Sequence, residues 1–294
     1  MKKTLMLLLA ILMLLTAAGC GSDGKQETLL TEPGSESPYN PEVFEDFEET
    51  TLADNDACKV SVTGMGTDPI LGVFFNLYLE NKTADKSLMF AFEDAAVNGV
   101  KWEPFFATVL EPGTQKNDRF SFFDSEKLER IGTFTDIELM LQVYENDKYT
   151  DEMIVRETFH LYPNGAENAK RHEREPQSTD IVLRDDENVT VIVTGYDPYS
   201  PYGYGVKVFF ENKTDRKVTF GVKEATVNGR ESNPWFTITV QPGKMAYEEM
   251  HWMDYKFKEG SRVTVREIGL ILSVHDYSDM QAETIYEETV TLNP

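Results

Sequence analysis

The chain has 294 residues, with 51 Asp and Glu against 28 Lys and Arg, and a formal net charge of −23 at pH 7. This excess of negative charge argues against nucleic-acid binding and against adsorption to anionic lipid headgroups, because both need clustered Lys and Arg. Only two cysteines are present, Cys20 and Cys58. No cofactor-binding motif rises above background, so we expect no cofactor.

Residues 1–19 are predicted to form a signal peptide. Two lysines precede an apolar run over residues 5–15, which is too short to span a bilayer comfortably. The sequence Thr16-Ala17-Ala18-Gly19-Cys20 that follows resembles the lipobox of bacterial lipoproteins. The resemblance implies that Cys20 is alkylated with diacylglycerol and becomes the N-terminus, although Ala17 stands where Leu is usual. An ordinary secretory signal with an incidental cysteine is the alternative.

A lipid anchor implies a location at the membrane. A diacylglyceryl group carries the two acyl chains that stable anchoring needs, so we expect the protein at the extracytoplasmic face of the cell membrane. Residues 20–47 are predicted to be a disordered acidic tether, because residues 21–47 contain seven acidic residues, one Lys and many Gly, Ser and Pro. Its random-coil span is roughly 30 Å.

Residues 48–163 and 179–294 are two copies of one sequence pattern, called the first repeat and the second repeat below. Asn81-Lys82-Thr83 returns as Asn212-Lys213-Thr214, Val97-Asn98-Gly99 as Val227-Asn228-Gly229, and Pro112-Gly113 as Pro242-Gly243. Self-similarity of this kind predicts two domains of the same fold. The polar stretch 164–178, with Pro163 and Pro176 near its ends, is predicted to be a linker.

Apolar residues alternate with other residues within each repeat. Phe75-Asn76-Leu77-Tyr78-Leu79 and its equivalent Val206-Lys207-Val208-Phe209-Phe210 keep the same apolar phase. Such alternation indicates half-buried strands, and we expect seven or eight per repeat. Asn98-Gly99 and Asn228-Gly229 suit type I′ hairpins, and the only helix-like segment is residues 124–130. The predicted fold is all-β, with two tandem antiparallel β-sandwich domains.

The order of these features also resembles a known family. An alternating strand closing on Asn-x-Thr, a second such strand, a Val-Asn-Gly hairpin, a Pro-Gly turn and two long final strands resemble the immunoglobulin-like domains of uncharacterised Firmicutes lipoproteins. The resemblance covers both repeats and the lipobox, and it implies two immunoglobulin-like sandwiches with no catalytic residues. An antibody-type domain is excluded because the paired inter-sheet cysteines are missing. Cys58 aligns with Val189 and is predicted to be a buried apolar residue.

The four histidines do not indicate a catalytic site. His160, His251 and His275 fall on the solvent phase of alternating strands, and His172 lies in the linker. We expect none of them to be oriented by a partly buried acid, as a Ser-His-Asp arrangement requires, and no Gly-x-Ser-x-Gly motif is present. The expectation is therefore a protein that is not an enzyme. A cell-envelope hydrolase with an unrecognised carboxylate pair is the alternative.

Each repeat opens with an acidic cluster, formed by Asp54 and Asp56 in the first and by Asp185, Asp186 and Glu187 in the second. Oxygen-rich clusters of this kind can bind Ca²⁺, which takes six to eight oxygen ligands. The spacing does not match an EF-hand. A calcium-stiffened structural spacer is therefore one hypothesis, and a pair of solvated turns is the other.

The most distinctive unshared segment is residues 196–205, called the tyrosine loop below. It contains Tyr196, Tyr199, Tyr202 and Tyr204, whereas the corresponding stretch of the first repeat has no tyrosine. Tyrosine supplies a large amphipathic contact area at low entropy cost, so the loop is a candidate binding site for an extracellular protein or glycan. A loop that packs its rings on its own domain is the alternative. Trp102, aligned with Ser232, is a weaker candidate in the first repeat.

Overall fold

Regular structure in this chain is nearly all β. The computed structural model describes residues 42–43, 47–68, 72–122, 124–148, 153–253, 264–278 and 284–294, and these residues belong to one compact unit. The predictions for the signal peptide, for lipidation of Cys20 and for residues 20–41 of the tether concern residues outside these ranges.

The strands up to residue 163 are β1 (Glu42–Val43), β2 (Thr50–Asp54), β3 (Cys58–Asp68), β4 (Gly72–Asn81), β5 (Leu88–Val97), β6 (Val100–Trp102), β7 (Ala107–Leu110), β8 (Gln115–Phe122), β9 (Ile137–Glu145) and β10 (Val155–Leu161). Helix α1 (Ser125–Ile131) lies between β8 and β9. The strands of the second repeat are β11 (Ile181–Asp185), β12 (Val189–Asp197), β13 (Tyr204–Asn212), β14 (Val218–Val227), β15 (Arg230–Glu231), β16 (Thr237–Val240), β17 (Met245–Trp252), β18 (Ile268–Asp276) and β19 (Tyr286–Leu292).

The all-β sandwich prediction is confirmed. Among the described residues each repeat holds nine strands rather than seven or eight, because β6, β7, β15 and β16 are too short for alternation to reveal them. The predicted helical segment is also present. Asp124 caps α1 by accepting a hydrogen bond from the Lys127 N–H at 3.0 Å, which satisfies one of the unpaired N–H groups of the first turn.

The strands form three sheets, one of which runs through both repeats. The first repeat contributes a five-stranded sheet of β1, β2, β3, β4 and β8, and the second contributes one of β14, β15, β16, β18 and β19. The third has the order β10-β9-β5-β6-β17-β13-β12-β11, with β7 paired to β5. The two repeats meet at β6 and β17, which are parallel and pair Val100 with Met245.

Each repeat contains a hydrophobic core. In the first, side chains such as Val60 and Leu77 from the five-stranded sheet pack against Phe90 and Leu139 from the shared sheet. The second core repeats this arrangement with the equivalent strands. Cys58 is fully buried in the first core, as its alignment with a valine predicts, and burial raises the pKa of its thiol to about 11.

The two Asn-Gly hairpins adopt the conformation that a type I′ turn requires. Asn98 and Gly99 have φ of 51° and 81°, and Asn228 and Gly229 have φ of 50° and 73°. The Asn98 side chain also accepts hydrogen bonds from the backbone N–H groups of residues 135 and 136, and Asn228 does the same for residues 266 and 267. Each hairpin is therefore tied to the loop before the next long strand.

Asn81 and Asn212 are fully buried and organise equivalent turns. The Asn81 amide donates to the carbonyls of Lys86 and Leu110 at 2.7 and 2.9 Å, while its oxygen accepts from the backbone N–H and hydroxyl of Thr83. Asn212 makes the same pattern of bonds in the second repeat. The repeated Asn-x-Thr motif is thus a structural element of the sandwich.

Three described residues inside the range predicted as tether are paired or packed. Glu42 and Val43 pair with Thr67 and Gly66 of β3, and Phe47 packs against the first core. Strand pairing supplies backbone hydrogen bonds that composition alone does not reveal. The tether prediction for residues 20–47 therefore has to be shortened at its C-terminal end.

Candidate functional site

The joint between the repeats is a packed interface. Met245 donates its N–H to the Gly99 carbonyl at 2.9 Å, and Phe209 and Met245 of the second repeat are buried in the first core. The ring of Tyr247 lies 5.1 Å from that of Phe209 and stacks under the Arg130 guanidinium. Apolar burial and the pairing of β6 with β17 join the two repeats.

The linker takes part in this joint. His172 donates its backbone N–H to the Asn98 carbonyl at 2.7 Å, and its ring nitrogen lies 2.9 Å from the Tyr247 hydroxyl. The pKa of His172 is lowered by burial and by the nearby Arg130 and Arg174 guanidinium groups. The linker is therefore a structural strap across the interface.

Ion pairs surround the apolar part of the joint. Lys127 pairs with Glu248 at 3.0 Å, Lys207 with Glu126 at 3.1 Å and Lys244 with Glu138 at 2.6 Å. Each pair joins one repeat to the other. The lysine belongs to the first repeat in the pair with Glu248 and to the second repeat in the other two pairs. These contacts fix the orientation of the repeats more than they add to stability, since partly exposed ion pairs contribute little free energy.

Beside the joint lies a groove of about 500 Å³, called the seam groove below. It is lined by residues of β16 and β17 of the second repeat and by residues at and after β6 of the first repeat. Its lining includes Lys101 and Glu103 from the first repeat and Trp235, Glu248, Glu249 and His251 from the second. Its volume lies within the range of ligand pockets, while its lining is more polar than theirs.

The tyrosine loop lies next to this groove, and its four tyrosines have different surroundings. Tyr199 and Tyr202 are exposed by 62% and 58%, and the Tyr202 ring contacts His251 with a centroid distance of 5.4 Å. Tyr204 belongs to the second core, where burial raises its pKa to about 12, and Tyr196 packs against the same core. Burial therefore removes Tyr204 from the candidate contact surface.

Trp102 and Trp235 differ sharply in exposure. Trp102 is buried in the first core among Phe122 and Phe134, so it does not reach a partner's surface. Trp235, by contrast, is 75% exposed at the end of the seam groove. Its equivalent in the first repeat, Phe105, is 74% exposed. Both residues follow a proline, Pro104 and Pro234, but no alternating pattern around them predicts their exposure.

A small polar cluster holds the tyrosine loop against β17. The Ser200 hydroxyl is 3.4 Å from the His251 Nδ1 atom, and one Glu249 oxygen is 3.6 Å from the same nitrogen. Glu249 lies so close over Gly205 that a Cβ there would overlap its carboxylate. Burial, with the Asp197 carboxylate nearby, raises the pKa of Glu249, and burial lowers the pKa of His251.

These contacts correct the expectation that no histidine is oriented by a partly buried acid. His251 has Glu249, and His160 lies 2.7 Å from Asp136 and 3.4 Å from Glu138. A catalytic Ser-His-acid arrangement needs the serine and the acid on different ring nitrogens. Ser200 and Glu249 approach the same nitrogen, so this cluster is not arranged for nucleophilic catalysis.

The acidic residues at the start of each repeat lie beside lysines of the Asn-Lys-Thr motif. Lys82 contacts Asp54 at 2.5 Å, and Lys213 contacts Asp185 at 2.6 Å. Hydrogen bonds from these lysines lower the pKa of both carboxyls. Asp186 accepts the backbone N–H groups of the turn, while Asp56 and Glu187 are exposed. Within the described residues no three His, Cys, Asp or Glu side chains are grouped to hold a metal.

Several solved structures have a distant likeness to this chain. A crystal structure of the YadV chaperone is similar at 11% sequence identity with a TM-score of 0.22, over 74% of this chain and 92% of that chain. A TM-score of this size carries no argument about fold or function. No family model matches the chain, and no curated protein matches it. No helix in the described ranges combines the length and the apolar character needed to cross a bilayer.

Proposed function

We propose that this chain is a non-catalytic, lipid-anchored binding protein of the cell surface that contacts an extracellular partner, protein or glycan, through the tyrosine loop and Trp235. The observation that carries the proposal is the clustering of exposed aromatic rings at one place. The Tyr202 ring contacts the His251 ring, and the Trp235 N–H donates to the His251 carbonyl at 2.8 Å. Exposed aromatic side chains next to a groove are characteristic of binding surfaces.

The lipobox sequence supports the anchoring part of this proposal. An anchor at Cys20 followed by an acidic segment would hold the repeats away from a negatively charged membrane surface, because like charges repel. Replacement of Cys20 by Ala should move the protein from the membrane fraction to the aqueous fraction. Retention of the Cys20→Ala variant in the membrane fraction would exclude the lipid anchor.

The binding part is tested by capture from native envelope extract, with the full chain as bait. We expect combined Tyr199→Ala, Tyr202→Ala and Trp235→Ala substitutions to abolish capture of partners that the unmodified chain retains. The matched control is Phe105→Ala, which removes an equally exposed ring from the equivalent position of the first repeat.

Both variants should melt within about 2 °C of the unmodified chain, because surface substitutions usually change stability little. Equal capture by the triple variant and by the Phe105→Ala control would show that the aromatic cluster is not the contact surface.

A further inference from the structure

The outer face of the five-stranded sheet in the first repeat carries a shallow depression of about 600 Å³, called the open-face site below. Its lining comes from β3, β4 and β8 and consists of Thr63, Asn76, Leu77, Asn117, Asp118 and Arg119. The equivalent residues of the second repeat line a pocket at the joint, and these are Thr194, Lys207, Val208, Tyr247, Glu248 and Glu249. Helix α1 of the first repeat completes that pocket, whereas in the described part of the chain only the three strands line the open-face site.

The covered pocket of the second repeat already holds a carboxylate from another element. Both carboxylate oxygens of Glu126, on α1, lie 3.1 Å from the Lys207 Nζ atom. Lys207 lies opposite Glu249 in the pairing of β13 with β17. This place on the sheet is therefore able to bind a carboxylate when one of the two opposed positions carries a cation.

In the first repeat the cation of this place lies on the neighbouring strand. Asn76 and Arg119 stand where the second repeat has Lys207 and Glu249, and they are again opposite each other. The Arg119 Nε atom donates to the Asn76 Oδ1 atom at 3.0 Å, and the guanidinium lies 4.0 Å from the centre of the Phe74 ring. These contacts hold the guanidinium on the sheet and leave its two terminal nitrogens without an acceptor among the described residues.

The other charges of the open-face site leave Arg119 unpaired. Asp118 is bound by Lys116 at 2.6 Å, so its carboxylate is already neutralised. No Asp or Glu of the described ranges lies within ion-pair distance of Arg119, although acidic residues outnumber basic ones by 51 to 28 in this sequence. A guanidinium with both terminal nitrogens free matches a carboxylate, which it binds through two parallel hydrogen bonds.

The remaining side chains of the site are polar and uncharged. Thr63 and Asn117 are exposed, and Asn76 is half-buried. A protein interface needs apolar surface at its centre, and the Phe74 ring on this face offers none because it is fully buried beneath Arg119. Sugar hydroxyls both donate and accept hydrogen bonds, as amide and hydroxyl side chains do. The site therefore suits a glycan better than a protein.

We infer that the open-face site binds a carboxylate-bearing glycan, with the carboxylate on Arg119 and sugar hydroxyls on Thr63, Asn76 and Asn117. It is a second binding site, in the first repeat, and does not depend on the aromatic residues of the second repeat. The negative net charge of the chain does not prevent this binding, because at physiological ionic strength exposed charges more than about 8 Å apart are largely screened.

Isothermal titration calorimetry with trigalacturonic acid tests the inference on the purified full chain in detergent. Two control ligands are needed: the fully methyl-esterified trimer, which keeps the sugar rings without their charge, and tricarballylate, which has carboxylates without a sugar. We expect the trimer to bind and both controls to bind at least about tenfold more weakly, because each control loses either the charge-assisted hydrogen bonds or the hydroxyl contacts.

Two matched substitutions locate the site. Arg119→Gln removes the cation and should weaken binding of the trimer at least about tenfold. Arg230→Gln should leave binding unaltered, because Arg230 is an exposed arginine of the second repeat that likewise has no carboxylate within ion-pair distance in the described ranges. The pair of variants therefore separates a local contact from a general effect of charge.

A third substitution leaves the contact between Arg119 and Phe74 in place. Asn117→Asp puts a negative charge on an exposed position of the open-face site, where it should repel the ligand carboxylate and weaken binding about tenfold. Melting curves of the three variants confirm that each one folds.

Absence of trimer binding would overturn the inference, and so would equal binding of the esterified trimer or of tricarballylate. Equal binding by the Arg119→Gln and Arg230→Gln variants, or unaltered binding by Asn117→Asp, would also overturn it. The combined Tyr199→Ala, Tyr202→Ala and Trp235→Ala variant should bind the trimer as the unmodified chain does. Loss of trimer binding in that variant would move the ligand to the aromatic residues, in which case the inference fails while the proposed function stands.

Discussion

Phe209 and Tyr247 face each other across β13 and β17 with their ring centroids 5.1 Å apart, and in the first repeat the same cross-strand pair is Tyr78 and Asn117. The second repeat thus has aromatic rings where the first has more polar side chains. Those rings are the ones that pack against the first core. The joint therefore uses residues that differ between the repeats. The outer face of β4 and β8 lacks the apolar surface that β13 and β17 offer to the first core.

Removal of the Phe209 ring should destabilise the whole chain. Phe209→Ala leaves a cavity at the boundary of the first core, with an expected loss of about 3 kcal/mol in the free energy of unfolding. Tyr78→Ala, at the equivalent position on the open face, should cost less than about 1 kcal/mol. Urea denaturation followed by tryptophan fluorescence measures both, and equal losses would contradict a packed joint.

The buried asparagines should be essential in both repeats. Asn81→Ala removes hydrogen bonds to two backbone carbonyls and Asn212→Ala removes them to three, and each unsatisfied buried group costs about 1–3 kcal/mol. We therefore expect each variant to lose at least about 2 kcal/mol of unfolding free energy in chemical denaturation. Thr83→Val, which removes only the hydroxyl of the same turn, is the milder control, and a similar loss in all three variants would argue against this role of the asparagine.

Stability should depend on pH through His172. Its folded-state pKa is lowered by burial and by neighbouring arginines, so between that pKa and about 6.5 the unfolded chain binds a proton that the folded chain does not. The contribution is fully favourable above about pH 6.5 and is lost as the pH falls toward the folded pKa.

The His172→Gln variant isolates this contribution. Between pH 7 and pH 5 its unfolding free energy should decline less than that of the unmodified chain, although His251, whose pKa burial also lowers, keeps part of the slope. Parallel curves for the two proteins would show that His172 does not titrate as its surroundings indicate.

Calcium should have no effect on thermal stability. Lys82 and Lys213 already neutralise Asp54 and Asp185, and a cation would have to displace them. We expect the melting temperature in millimolar Ca²⁺ to match that in EDTA. A rise that follows the calcium concentration would indicate a site at the acidic turns, because a ligand that binds the folded state raises stability by mass action.

Local features of this chain follow directly from its residues. The positive φ of Asn98 and Asn228, the cap of α1 by Asp124 and the burial of Cys58 were all predictable, because each depends on backbone chemistry or on the alternation of its own strand. The exposure of Phe105 and Trp235 was not, because a single aromatic residue after a proline has no period from which its side can be inferred.

The hydrogen-bond and ion-pair partners of polar side chains could not be predicted from the sequence either. Ser200, Glu249 and His251 meet only because the tyrosine loop folds back over β17, and the separation of Ser200 from the other two along the chain gives no sign of that contact. Trp102 shows the converse, since a tryptophan without an aligned aromatic residue was expected to face a partner and instead packs in the first core.

By itself the sequence determined the duplication, the all-β class and the turns, because periodicity and turn chemistry act over a few residues. Only the tertiary structure decided that one sheet crosses both repeats, that the linker is a strap in the joint, and that exposed Tyr202 and Trp235 both lie beside His251. These features depend on which strand edges and side-chain faces meet after the chain has folded, and contacts between residues distant in sequence leave no local pattern to be read.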